Sequence, residues 1–259
     1  PVSEDRHSKK VDKNHSSLLT EKRAYVKDTI NTDPVDNVPV LLIGDVIDNP
    51  PNYQVIYKGE YTVDSATVLV IMSTFNRQHS VLSAIDSIMT QSYQNLLLHI
   101  VDDNSSLDDV ELIMRHLSEK NYQQVVFSKN IINVGTYTNR NYVLNYHFKE
   151  PFGFWTIQDS DDISDTLRLE RCIEALAQEN YFAVKIMYTR SGIVNKTIVS
   201  DGTALYKRDV FWRIGYYNCN RFGSDTEYFY RFRLAYGKRY IVLKNILYYA
   251  SSTQDCLTI

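Results

Sequence analysis

Phe152-Gly153-Phe154-Trp155-Thr156-Ile157-Gln158-Asp159-Ser160-Asp161-Asp162 joins an apolar run to three carboxylates within four positions. The run reads as a strand, and the carboxylates then stand at the edge of a sheet. Negative charges so close repel one another and are costly unless a cation or a strong hydrogen-bond network compensates them. A hard divalent cation held by one or two carboxylates, and completed by substrate phosphates, is the usual compensation. The plainer alternative is a turn rich in Asp and Ser that caps the next helix. The rest of the chain decides between the two.

Upstream, Thr67–Ser73 is continuously apolar, as expected of a strand buried on both faces. His79–Thr90 places Val81, Leu82, Ile85, Ile88 and Met89 at helical spacing. Leu96–Val101 reads as a second strand, Leu107–Leu117 as a helix, Val125–Phe127 as a third strand and Tyr137–Phe148 as a helix. Phe152–Ile157 is then the fourth strand. This alternation implies an α/β fold with a doubly wound, mostly parallel sheet flanked by helices. Such sheets bind ligands outside the C-terminal ends of their strands. Four tips should therefore face one crevice. They carry Ser73-Thr74-Phe75-Asn76-Arg77; Asp102-Asp103-Asn104-Ser105-Ser106; Asn133-Val134-Gly135 leading to Arg140; and Asp159, Asp161 and Asp162. Carboxylates at adjacent tips with an aromatic at the first suit a nucleotide, whose base stacks and hydrogen-bonds while its diphosphate meets a metal. Neither G-x-G-x-x-G nor G-x-x-x-x-G-K-[ST] is present, so a dinucleotide or P-loop site is not supported.

Composition sets the outer limits. The 259 residues suffice for one large α/β domain plus an extension. A formal charge of −3 gives no electrostatic case for nucleic acid. No apolar run approaches the roughly 18 residues needed to cross a bilayer, and no signal-peptide pattern is seen. The start at Pro1, without Met, fits a piece of a longer protein. Cys172, Cys219 and Cys256 form no C-x-x-C pair and read as reduced thiols of a cytosolic protein. The six His have no ligand spacing, which argues against zinc. Twenty Tyr suit carbohydrate surfaces, although any single one is more often half-buried in a sheet or helix. Residues 1–60 read as an N-terminal extension or linker, bearing a helix over 17–30 and short strands over Val38–Val46 and Tyr53–Tyr57; residues 61–259 read as the main domain.

Val70–Arg77, Ile100–Ser106 and Asp159–Asp162, in this order and spacing, resemble family 2 glycosyltransferases of the GT-A fold, over about Thr67 to Ser251. The resemblance implies an inverting transferase that takes a nucleotide-sugar donor, a UDP-sugar by analogy, and a glycan acceptor. It also implies Mn²⁺ or Mg²⁺ as cofactor. It puts Ser73 and Phe75 at the base and ribose, with Asn76 and Arg77 in the same donor loop. Asp103 falls on the reader of the uracil ring, Arg140 lies near the donor, and Asp161 falls on the contact to ribose or sugar. Asp162, with Asp159 beside it, falls on the metal carboxylate. Gly202–Tyr217 resembles the segment closing the acceptor side. In Phe222-Gly223-Ser224-Asp225, Ser224 replaces the more usual Glu while Asp225 keeps the position of the catalytic base; Glu227 is the reserve. Neither Q-x-x-R-W nor membrane helices are present. This points to a soluble or peripherally attached enzyme at the inner face of the membrane adding one sugar at a time, or to one module of a longer polymerase. A bacterial capsule or lipopolysaccharide is the product class that the family suggests. The rival reading is a non-catalytic nucleotide- or glycan-binding module on the same fold. A nucleotidyltransferase would need a Gly-rich basic loop that Ser73–His79 does not supply.

Overall fold

A computed structural model describes residues 53–177, 180–190 and 198–251. The helix expected over 17–30 and the strand over Val38–Val46 lie outside them. The described chain opens with β1 (Tyr53–Lys58), β2 (Val68–Thr74), α1 (Val81–Met89), β3 (Leu96–Asp102) and α2 (Leu107–Lys120). It continues through β4 (Val125–Asn130), α3 (Thr136–Tyr146), β5 (Phe154–Asp159), β6 (Ile163–Ser164) and α4 (Arg168–Leu176). The last part holds β7 (Ala183–Arg190), β8 (Ile198–Val199), β9 (Leu205–Lys207), α5 (Arg208–Ile214), α6 (Ser224–Tyr236) and β10 (Tyr240–Ala250). All the strands join one sheet in the order β1-β4-β3-β2-β5-β9-β7-β10-β6, with β8 on β7.

The middle of the sheet, β4-β3-β2-β5, is parallel and in register from Val68 opposite Leu96 and Phe154. Its strands are buried along nearly all of their length, which is why they read as apolar runs. One face (Val68, Val70, Met72, Leu98, Ile100, Phe127) packs under Ala84, Ile85 and Ile88 of α1, Ile113 and Leu117 of α2 and Leu169 of α4. α3 covers β2 and β3 on the other side. The Ser106 side chain caps α2 by accepting the Asp109 N–H, so the second strand tip is fixed by the helix that follows it.

Two features add to the sequence expectation. Tyr53–Lys58, placed within the extension ending at residue 60, pairs antiparallel with β4 and is the edge strand of this sheet. The carboxyl half is mixed rather than a continuation of the parallel order: β9 runs antiparallel to both β5 and β7, while β10 runs parallel to β7. Most of the late tyrosines are core residues. Tyr206 stacks on Trp155 at 4.8 Å and Tyr228 on Tyr217 at 4.4 Å. Among the described residues no helix is long and apolar enough to cross a membrane.

Candidate active site

The first two tips are laced together. Asn76 turns into the left-handed region (φ 50°). Its N–H donates to Ser105 Oγ at 2.9 Å, and its Oδ1 accepts the Ser106 N–H at 3.3 Å. Asn76 therefore holds the loops in place, while Phe75 beside it is 46% exposed at the crevice mouth, available for stacking. Asp103 is 3% exposed. It accepts N–H bonds from Val134 at 2.9 Å, Gly135 at 2.8 Å and the Asn130 amide at 3.1 Å. A carboxylate has about four acceptor positions, so these donors leave room for one more. Asn130 also donates to Asn139 and Asn139 to Ser73 Oγ, which ties Ser73 to Asp103 through a chain of amides.

The acidic cluster is held on three sides. Arg140, buried on α3, donates to Asp159 at 3.1 Å. Arg77 pairs with Asp161 at 3.5 Å. Asp162 is 8% exposed and accepts the Ser251 N–H at 2.7 Å. Burial and the neighbouring charges of Asp159 and Asp161 push the Asp162 carboxyl up to about 7, against the pull of the Ser251 N–H. Burial likewise raises Asp159, with Arg140 opposing and Asp161 and Asp225 adding to the rise. Beneath the cluster lies Arg168, which the sequence reading missed. Its buried guanidinium donates to Gln158 Oε1, Ser164 Oγ, Thr156 Oγ1 and the carbonyls of Ile157 and Thr203, and it faces the Tyr248 ring at 5.0 Å. Tyr248 Oη in turn accepts the Asp159 N–H at 3.1 Å. A buried cation thus sits directly below the tip that gathers the carboxylates.

Among the described residues no three His, Cys, Asp or Glu side chains close around one point suited to a metal. The donor set fits a cation shared between one or two carboxylates and a ligand's phosphates rather than a protein cage, and burial with the charges of Asp159 and Asp161 disfavours the ionised Asp162 carboxyl that such a cation would favour.

Asp225 lies in the first turn of α6. Its Oδ1 accepts the Tyr137 hydroxyl of α3 at 3.0 Å. The Arg140 guanidinium lies 4.9 Å from the Tyr137 ring and 5.6 Å from that of Tyr217. Asp225, Tyr137, Arg140 and Asp159 therefore form one continuous line from α6 to the tip of β5. Glu227, the reserve, is paired with Arg231 one helical turn away by bonds of 2.5 and 2.9 Å. No sequence signal marked Tyr137, which reads as an ordinary helix residue.

A sheet whose tips gather two carboxylate-bearing loops, faced by a helix-borne Asp, is the architecture of GT-A glycosyltransferases. The solved structures bear this out. TarS 1–349 of S. aureus superposes with a TM-score of 0.60 at 17% identity, over 71% of this chain and 60% of that one. Its complex with UDP-GlcNAc gives 0.61 at 16%, over 73% and 59%. A mannosyltransferase of Pyrobaculum calidifontis, PcManGT, in complex with GDP-Man and Mn²⁺, gives 0.61 at 15%, over 93% and 67%. The chain belongs to glycosyl transferase family 2, whose model matches residues 69–244. Among characterised relatives, the Escherichia coli UDP-Glc:alpha-D-GlcNAc-diphosphoundecaprenol beta-1,3-glucosyltransferase WfgD is 28% identical over 137 residues, which are 53% of this chain. The chain matches about half the length of that relative, 50%.

Proposed function

We propose that this domain transfers a hexosyl or N-acetylhexosaminyl group from a UDP-sugar to a hydroxyl of a glycan acceptor, with inversion, in the synthesis of a bacterial surface polysaccharide such as capsule or lipopolysaccharide. The observation that carries the proposal is the line from Asp225 through Tyr137 and Arg140 to Asp159, which spans the crevice between a base and an acidic cluster. UDP as carrier is supported by the names of WfgD and of the TarS complex, while PcManGT uses the same fold with GDP-Man. We assign the reaction to the cytoplasm, either free or at the inner face of the membrane, a compartment that suits three cysteines with no paired spacing.

In this reading the base of the donor stacks on Phe75 and hydrogen-bonds the remaining acceptor position of Asp103. Arg77 and Asp161 flank the ribose and sugar. Asp225 takes the proton of the acceptor hydroxyl as its oxygen attacks the anomeric carbon. The bond from that carbon to the diphosphate breaks on the opposite face, and the electron pair leaves with UDP. A positioned base of this kind contributes about 10²–10⁴-fold. A Mn²⁺ or Mg²⁺ ion held by Asp162, with Asp159 beside it, would supply Lewis-acid stabilisation of the leaving diphosphate.

Calorimetric titration of UDP, GDP and CMP, each with and without Mn²⁺, tests the donor site in wild type and Asp162→Ala. The expected result is metal-dependent binding of UDP that is lost in the variant. Equal binding of UDP in both proteins would remove Asp162 from the metal role. Tight binding without donor turnover would favour the non-catalytic module.

A further inference from the structure

We infer that Tyr137 and Gly202 together set the working geometry of Asp225, Tyr137 by fixing one carboxylate oxygen and Gly202 by leaving space for the other. The inference rests on the reading of Asp225 as base. Tyr137 is 9% exposed, and its ring is hemmed in by Tyr217 at 5.7 Å and by the Arg140 guanidinium at 4.9 Å. Its hydroxyl is therefore aimed by packing, and it donates to Asp225 Oδ1 at 3.0 Å. An oxygen that accepts this bond is the poorer proton acceptor of the pair. The proton of an acceptor hydroxyl then goes to Oδ2.

Gly202 stands on the Oδ2 side. A Cβ at this position would lie 2.8 Å from Asp225 Oδ2 and 3.7 Å from its Cγ. No left-handed φ is found at Gly202, so the backbone itself tolerates alanine. What alanine would displace is the carboxylate. The glycine is held in place by its neighbours: the Thr203 carbonyl accepts from Arg168 at 3.1 Å, and Asp201 pairs with Lys185 at 2.5 Å. Tyr137 is thus a positioning residue of α3 acting on a base of α6. Because Arg140 lies one turn beyond it and binds Asp159, base and acidic cluster share a single rigid support.

The test uses the whole chain with Mn²⁺ and measures hydrolytic release of nucleotide from UDP-glucose, UDP-GlcNAc and GDP-mannose, with water as the acceptor hydroxyl that attacks the anomeric carbon. The variants are Tyr137→Phe, Gly202→Ala, Asp225→Asn and the double variant Tyr137→Phe with Asp225→Asn. Circular dichroism melting checks that each folds. Tyr137→Phe should lower kcat by about tenfold to a hundredfold, the loss expected for one hydrogen bond to a charged group. Its donor KM and its calorimetric UDP affinity should stay within about threefold. Gly202→Ala should show the same split. The double variant should be no slower than Asp225→Asn, because the phenol acts only through that carboxylate. An unchanged kcat in Tyr137→Phe, or losses that multiply in the double variant, would overturn the inference and leave the base reading standing. A wild-type rate in Asp225→Asn, or a wild-type protein releasing nucleotide from none of the three donors, would instead remove the base reading, and this inference with it.

Discussion

Asp162 carries a penalty that can be measured without any substrate. Its carboxyl sits at about 7 in the fold, against 3.8 in an unstrained carboxylate, because burial and two neighbouring carboxylates disfavour the charge. A group whose folded pKa is raised contributes stability below the unfolded pKa and loses it as pH rises through the folded one. At pH 8 in chelator the charged form is therefore forced on the fold. Asp162→Asn keeps an oxygen for the Ser251 N–H and removes that charge. Its melting midpoint under these conditions should exceed that of wild type, by about 2–4 °C for each kcal/mol relieved. Added Mn²⁺ with UDP should reverse the order, stabilising only wild type. A lower midpoint for the variant in chelator would mean that the charge-assisted bond from Ser251 outweighs the repulsion. At this scale the sequence was informative where chemistry is local. Asp159, Asp161, Asp162 and Asp225 stand in short patterns that can be read one after another. Tyr137 and Gly202 were not legible, since each acts through a contact with Asp225 in a distant part of the chain, and Arg168 was not because no local pattern shows that Thr156, Gln158, Ser164 and Thr203 meet around one buried guanidinium.

The strand that carries the cluster depends on how it begins. A Cβ at Gly153 would lie 1.9 Å from the Ser65 carbonyl oxygen, a backbone atom that cannot swing aside. Gly153 also donates to the Thr67 carbonyl at 3.1 Å and accepts from the Arg208 N–H at 2.8 Å, which pins β5 against the start of β2 and of α5. Gly153→Ala must separate these segments, and it should cost at least about 2 kcal/mol. A denaturant midpoint lowered at unchanged slope is the readout; an unchanged midpoint would show that the Ser65 segment yields freely. This tight entry explains why β2 to β5 were easy to find. Strands enclosed by neighbours and helices are mostly apolar, and each was recovered within a few residues, as were α1 to α3. The later elements carry no such signal. β6 and β8 are two residues long and β9 three, and β10 shifts register twice against β7. α6 buries Tyr, Phe and Arg alike, so its core face does not stand out as apolar; only the likeness of Gly223-Ser224-Asp225 to the family pattern located its start.

The molecule as a whole closes the amino-terminal edge of its parallel sheet with β1, and this edge is fastened by a buried polar chain. His99 of β3 is 0% exposed. It bonds Tyr53 of β1 at 2.8 Å, Ser128 of β4 at 2.7 Å and His147, just past α3, at 2.8 Å; His147 meets Glu150 at 2.6 Å. Tyr146 of α3 packs edge-on against the His99 ring. Burial, and then the proximity of His147, hold His99 well below 6.5. The native state therefore binds fewer protons here than the unfolded chain. The stability this contributes is present above the unfolded value of about 6.5 and is lost as pH falls below it. Asp162 works in the opposite sense over the same range, so the slope of wild type alone mixes the two. Asp162 is present in wild type and in a His99 variant alike. The difference between wild type and His99→Gln thus isolates the histidine. Between pH 7 and pH 5 the melting midpoint of wild type should fall more steeply than that of His99→Gln. Hydrogen exchange in wild type should quicken first in β1, an edge strand with no fully buried residue and the one that Tyr53 ties down. Parallel pH slopes in the two proteins would mean that His99 takes up its proton in the fold as readily as in the unfolded chain and that its burial carries no penalty over this range.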